Sequence, residues 1–272
     1  ALLEISGSLR FEVMTKLRSP SGLVSNTNCV RQDEVDNLEA LDSANETYIR
    51  FINIGNDAIT NIRGTVRDAG GKVVGQPDAE LITRLKPKQA IWLNREQIRK
   101  MIGDSWNGTA SLKTSISRPN LRLLNLNFVN GETFFNFSCF ESEDSGHVYL
   151  ITNSESENVS ETHVINTGED VLTINGTLYS GEGEILGSPG LIAKDIAPGG
   201  RAILSATDLE QSFNAETWKG PALLEITGNQ TFNLMTKLTS PSGLVSNTNC
   251  VRQRDIHNIQ GSDSPDMTYV RF

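Results

Sequence analysis

The 272-residue chain is poor in the residue types that usually carry chemistry, with three histidines, three cysteines and few aromatics. His147, His163 and His257 fall at unrelated places, and neither H-E-x-x-H nor G-x-S-x-G occurs, so the sequence points away from an enzyme. Gly70-Gly71-Lys72 lacks the spacing and following helix of a phosphate loop, and Gly181-x-Gly183 is no dinucleotide fingerprint. Basic residues number 24 against 33 acidic ones, a net charge of −9. That balance argues against nucleic acid, whose binding needs clustered Lys and Arg on phosphates. No apolar run approaches the roughly 20 residues of a membrane-spanning helix, so no membrane span is expected. No signal peptide is visible, although a stretch that begins inside a repeat would show none.

What the chain does contain is repetition. Residues 1–32 and 222–253 are identical at 25 of 32 positions, and Thr268–Phe272 (TYVRF) echoes Thr47–Phe51 (TYIRF) at the same offset of 221. That offset resolves into two units. Trp106 and Trp218 stand 112 apart, as do Gly64 and Gly176, Gly75 and Gly187, and Pro77 and Pro189. The expectation is an alternation of two diverged unit types, X and Y, each of about 111 residues, the size of one independent domain. Residues 1–42 read as the back half of a Y unit, 47–142 as a complete X unit, 148–260 as a complete Y unit, and 268–272 as the first strand of a further X. Such a chain reads as a window onto a longer array.

Alternation with period two dominates inside the units. Ile49 and Phe51, then Ile62, Gly64 and Val66, mark strands, as do Leu124, Leu126 and Phe128 between Asn125 and Asn127. Hairpin turns are expected at Asp68-Ala69-Gly70-Gly71, Ser180-Gly181-Glu182-Gly183 and Asn130-Gly131, with a longer one at Ser19-Pro20-Ser21-Gly22. One short helix interrupts the strands of each unit. In Y it is expected to start at Thr207, with Glu210 closing a capping box; in X it starts at Asn94-Arg95-Glu96-Gln97, with Ile98, Met101 and Ile102 on one face. The fold class expected is all-β, as tandem immunoglobulin-like β-sandwich repeats with one short helix each.

Cys29, Cys139 and Cys250 recur once per unit. One cysteine cannot close a bridge within its own domain, so these read either as buried thiols acting as small hydrophobes or as bridges to a neighbouring chain or repeat. No second Cys or His lies at metal-ligand spacing. Acidic stretches follow the cysteine strands: Asp33, Glu34, Asp36, Glu39 and Asp42 in the first, Glu141, Glu143, Asp144, Glu155, Glu157 and Glu161 in the second, and Asp255, Asp263 and Asp266 in the third. They read as solvated inter-domain linkers. No cofactor is expected, calcium at these linkers being the alternative, without the D-x-D-x-D-G spacing. Trp92, Trp106 and Trp218 all lie in apolar contexts that suggest core, which leaves the carbohydrate-binding module open but without exposed aromatics to support it.

Several segments resemble tandem immunoglobulin-like sandwich modules of large secreted bacterial surface and fibre proteins. They are Y-[IV]-R-F followed by Asn53 and Gly55, M-T-K-L-x-S-P-S-G-L-V-S-N at 14–26 and 235–247, and the Pro-Gly turn leading into an apolar strand at 198–204. The X tail departs, reading FVNGETFFNFSCF where Y has S-P-S-G. The resemblance implies an extracellular or cell-surface structural protein that self-associates into a filament or fibre through end-to-end or strand-exchanged domains. An adhesin or glycan-binding stalk that contacts surface polysaccharide is the alternative.

Overall fold

The computed structural model describes residues 6–8, 16–18, 24–26, 37–42, 46–115, 119–129, 133–135, 142–243 and 245–247. Strands dominate, all paired antiparallel in several sheets, with two short helices among the described residues. An N-terminal ribbon pairs β1 (Lys16–Arg18) with β2 (Val24–Asn26), Lys16 lying opposite Asn26.

A first body follows: β3 (Asn37–Asp42), β4 (Glu46–Asn53), β5 (Ile59–Asp68), β6 (Val73–Leu85), β7 (Ala90–Asn94), α1 (Arg95–Ile102), β8 (Thr109–Thr114), β9 (Leu121–Val129) and β10 (Thr133–Phe135). These strands form two four-stranded sheets, ordered β3-β8-β5-β6 and β10-β9-β4-β7. Ile49 and Phe51 of β4, Ile62 and Val66 of β5, Leu112 of β8, and Leu121 and Leu123 of β9 meet in one apolar cluster, closed by Ile98, Ile102 and Trp106. The period-two pattern places these side chains on one face of each strand, and that face is the one removed from water.

The second body contains β11 (Ser142–Ile151), β12 (Val159–Asn166), β13 (Leu172–Tyr179), β14 (Gly190–Ile196), β15 (Arg201–Ser205), α2 (Ala206–Phe213), β16 (Ala222–Thr239) and β17 (Val245–Asn247). These strands form one seven-stranded sheet, ordered β14-β13-β16-β12-β15, in which β11 and β17 also pair with β16. Up to Gly228 β16 pairs with β13 and takes most of β11; from Phe232 onward it pairs with β12, and its end pairs with β17. β16 therefore stands where β8 and β9 stand in the first body. Reading it as two strands gives orders β11-β16-β13-β14 and β17-β16-β12-β15, the same as before. The register also matches: Phe51 lies opposite Leu123 and Val164 opposite Leu234. The β16–β17 ribbon sets Lys237 opposite Asn247, as β1 and β2 set Lys16 opposite Asn26.

The structure corrects or refines four expectations. First, the acidic stretches are not wholly linkers. Glu39 and Asp42 lie on β3, which pairs with β8; Glu143 and Asp144 lie on β11, which pairs with β16; Glu161 lies on β12 and bridges Lys237 at 3.1 Å. Of these carboxylates only Glu155 and Glu157 occupy a described loop, while Asp33, Glu34, Asp36, Glu141, Asp255, Asp263 and Asp266 lie outside the described residues. Second, α2 is capped by Ser205 with Asp208, not Thr207 with Glu210; Glu210 instead accepts from the Ser154 amide at 3.0 Å. α1 has the expected cap, Asn94 with Gln97, and buries Ile98 and Ile102. Third, β9 has the opposite phase to the simplest reading. Register with Phe51, Ile49 and Thr47 puts Leu123, Asn125 and Asn127 on the inner face. Both asparagines are buried, and Asn127 Oδ1 accepts from Thr47 Oγ1. Leu124 and Leu126 sit on the other face, beside Arg50 and Tyr48.

Fourth, Trp106 and Trp218 join the two cores as expected, but Trp92 does not; it is 41% exposed. Turns form at Asp68–Lys72 and Ser180–Glu184 with matching backbone bonds, while Asn130, Gly131 and the Ser19–Gly22 turn lie outside the described residues, as do 268–272.

Candidate functional site

A buried asparagine organises the same corner of each body. Asn53, at the end of β4, donates through Nδ2 to the Asp57 carbonyl at 2.7 Å and to the Leu85 and Lys86 carbonyls, and its Oδ1 accepts from Gly55 N at 2.9 Å. Asn166, at the end of β12, donates to the Asp170 and Ile196 carbonyls at 2.8 Å and accepts from Gly168 N at 2.9 Å. Each asparagine also anchors a distant turn, between β6 and β7 or between β14 and β15: Asn53 N donates to Gln89 O, and Asn166 N to Gly200 O, both at 2.9 Å. The sequence marks Asn53 and Gly55 as a recurring pair but assigns them no role. The Asn-x-Gly spacing is the available signal, because an asparagine that accepts from the amide two residues on nucleates a turn.

The second of these turns, Ala197–Arg201, is where the two bodies meet. The β5–β6 hairpin of the first body reaches it. Asp68 Oδ1 accepts from Gly70 N and Lys72 N at 2.9 and 3.0 Å, shaping the turn. Ala69 O, at its tip, accepts from Arg201 N at 2.9 Å. The approach is backbone to backbone. A Cβ on Gly71, at φ +83°, would lie 2.7 Å from Pro198 O and 2.9 Å from Gly200 N. One on Gly199, at φ +73°, would lie 2.7 Å from Arg67 Cδ. Glycine supplies both the positive φ and the missing side chain, and Arg67 Nη1 donates to Gly71 O at 2.8 Å. Gly70-Gly71 forms the hairpin turn its sequence implies, but its contact across bodies is not legible from spacing.

Beside this junction, part of the outward face of β12, β15 and β16 is buried, while Ile203 on the same face of β15 is 43% exposed. His163, Met235 and Arg201 are all largely removed from solvent. Neither ring nitrogen of His163 has a hydrogen-bond partner among the described residues. Burial, with the Arg201 and Lys237 charges nearby, lowers its pKa to about 3, so it is neutral at pH 7.

The corresponding face of the first body is different. The Arg50 guanidinium lies 5.1 Å from the Trp92 ring centroid, a cation–π contact, and Tyr48 meets the same ring edge-on at 6.4 Å. Trp92, expected inside, falls out of phase with Ile91 and Leu93 in A-I-W-L-N, and the sheet turns it outward. A depression of about 510 Å³ opens on the β5–β8 side, lined by Arg63, Arg67, Lys113 and Asp78. Asp78 accepts from Ser115 Oγ and pairs with Arg63 at 2.9 Å; these contacts hold its carboxyl below the usual range and offset part of the basic charge.

Cys29, Cys139 and Cys250 lie outside the described residues. Among the described residues no group of three or more His, Cys, Asp or Glu side chains is placed to hold a metal ion, and no helix is long and apolar enough to cross a membrane. No family model, curated protein or solved structure matches the chain.

Proposed function

We propose that this chain is part of an extracellular structural array, in which X and Y units of immunoglobulin-like β-sandwich type alternate and build a filament or fibre. One observation carries the reading: two successive bodies share strand order and register and meet at a glycine-lined backbone contact. A junction made mainly of backbone, with Arg67 the side chain against it, fixes one body against the next at little cost in ordered side chains. The repeat in the sequence extends the same plan past the two bodies, since 1–32 matches 222–253. Joining like bodies head to tail with the same patch used repeatedly gives an open polymer rather than a closed ring when the rotation does not close. Sedimentation velocity over a concentration series tests this. Species growing with concentration are expected, and a single monomer at every concentration would refute it.

A second reading, a glycan-binding stalk, is favoured by Trp92 alone. Its exposed ring beside Arg50 and Tyr48 is a stacking surface of the kind sugars use. A glycan array probed with the chain and with Trp92→Ala separates the readings: signal lost in the variant supports the stalk, and no signal from either removes it.

A further inference from the structure

The observed junction has an uncovered counterpart at each end of the two-body unit. In the junction, the turn Asp68–Lys72 sits on the turn Ala197–Arg201. The second body carries its own copy of the first turn. Ser180 N donates to Glu184 O at 2.8 Å and Gly183 N to Ser180 O at 3.1 Å, as Asp68 N does to Lys72 O and Gly71 N to Asp68 O. The first body carries its own copy of the receiving turn. Gln89 N donates to Lys86 O as Gly200 N does to Ala197 O, and Lys88 takes the positive φ of Gly199, +56° against +73°.

These counterparts are exposed, with Lys88 Nζ donating to Ile54 O at 2.7 Å within its own body. Gly71, Gly200 and Arg201 are buried at the junction, whereas Gly181–Glu184 and Lys86–Lys88 are exposed. A Cβ on Gly183 would meet nothing within 4 Å among the described residues.

Their side chains also differ from the junction in a consistent way. The donor turn carries Glu182 and Glu184 where the first body has Gly70 and Lys72. The receiving turn carries Lys86 and Lys88 where the second body has Ala197 and Gly199. Where the junction brings Gly71 against Gly199 and Gly200, one exposed turn thus carries two carboxylates and the other two ammonium groups. Ile185, 54% exposed next to the acidic turn, adds apolar area to the contact.

From this juxtaposition we infer that the Gly181–Glu184 turn of one copy of this chain docks on the Lys86–Gln89 turn of a second copy, through Glu182 and Glu184 against Lys86 and Lys88. The inference rests on the filament reading and names the surface that would propagate it. The contact is heterologous, since donor and receiving patches differ, so it extends rather than closes. With Lys88 and Gln89 in place of two glycines the backbones stand farther apart than at the internal junction. Side-chain charge then does the joining, and the association is reversible and weakened by salt.

Light scattering and sedimentation of the full chain at low and high salt test this, with Glu182→Lys and Lys88→Glu. Both sites are exposed turn positions, and circular dichroism checks that each variant folds. Each single reversal is expected to weaken self-association about tenfold. An equimolar mixture is expected to recover it, because the lysine introduced into the donor turn of one variant then faces the glutamate introduced into the receiving turn of the other. Weakening without recovery on mixing would overturn the pairing. Association that is present but indifferent to either reversal would overturn this surface while leaving the filament reading standing. No association of the unaltered chain would overturn both.

Discussion

Replacing Gly71 with alanine isolates the contact between the two bodies. Gly71 sits at φ +83° in the β5–β6 turn, and Gly183 sits at φ +85° at the matching place in the β13–β14 turn. An alanine at either position costs about 1–2 kcal/mol for the left-handed backbone. Only at Gly71 does the new Cβ also collide, 2.7 Å from Pro198 O and 2.9 Å from Gly200 N. Both obstacles are backbone, so the turn must withdraw rather than push a side chain aside. Withdrawal breaks the Arg201 N to Ala69 O bond, worth about 1 kcal/mol. Gly71→Ala is thus expected to cost about 2–4 kcal/mol against about 1–2 for Gly183→Ala. The sharper readout is amide hydrogen exchange at Arg201, whose N–H points across the junction. Losing about 1 kcal/mol there speeds its exchange about fivefold, while Gly183→Ala leaves it unchanged. Equal acceleration in both variants, or none in Gly71→Ala, would refute the junction as described.

The helix-packing glycines offer a second test. A Cβ on Gly187, at φ +71°, would lie 2.3 Å from Phe213 O at the end of α2, so Gly187→Ala should lower unfolding free energy by about 3 kcal/mol or more, while Gly103→Ala, with open space around it, should cost only about 1–2; urea denaturation of both decides. Asn166→Ala strips the clamp from the Asp170 and Ile196 carbonyls and the Gly168 amide, an expected loss of about 2–4 kcal/mol, and Asn166→Asp should rescue little because it no longer donates. His163, held neutral first by burial and then by Arg201 and Lys237, titrates at about 3 in the folded chain against its ordinary 6.5. Its contribution is therefore fully present above pH 6.5 and lost as pH falls toward 3, by about 1.4 kcal/mol per pH unit. Between pH 6 and pH 4 the unfolding free energy of the parent chain should fall relative to that of His163→Gln with about that slope; parallel curves would contradict it.

How far the sequence can be read depends on which force sets each feature. Strands, turns and cores follow from local alternation and glycine, and Ile49, Phe51, Ile62 and Val66 are buried as their spacing implies. The α1 cap is equally local, with asparagine and glutamine three apart. The second cap is ambiguous because Ser205-x-x-Asp208 and Thr207-x-x-Glu210 overlap; burying Ala206, Leu209 and Phe213 together selects the earlier start. Acidity misleads at Glu143 and Asp144. A charged residue on a strand is compatible with pairing when its side chain faces water, so composition alone cannot separate such a strand from a linker. In β9 leucines occupy both phases, so only register with β4 decides that Asn125 and Asn127 point inward. The junction is the least visible feature, because Gly71 and Gly199 are ordinary turn residues until a distant segment is brought against them.

Whether like bodies join end to end is decided by cryo-electron microscopy of the concentrated chain at low salt. One-start polymers are expected, in which the Gly181–Glu184 turn of each subunit abuts the Lys86–Gln89 turn of the next. Discrete particles of a single chain, unchanged with concentration, would contradict the filament.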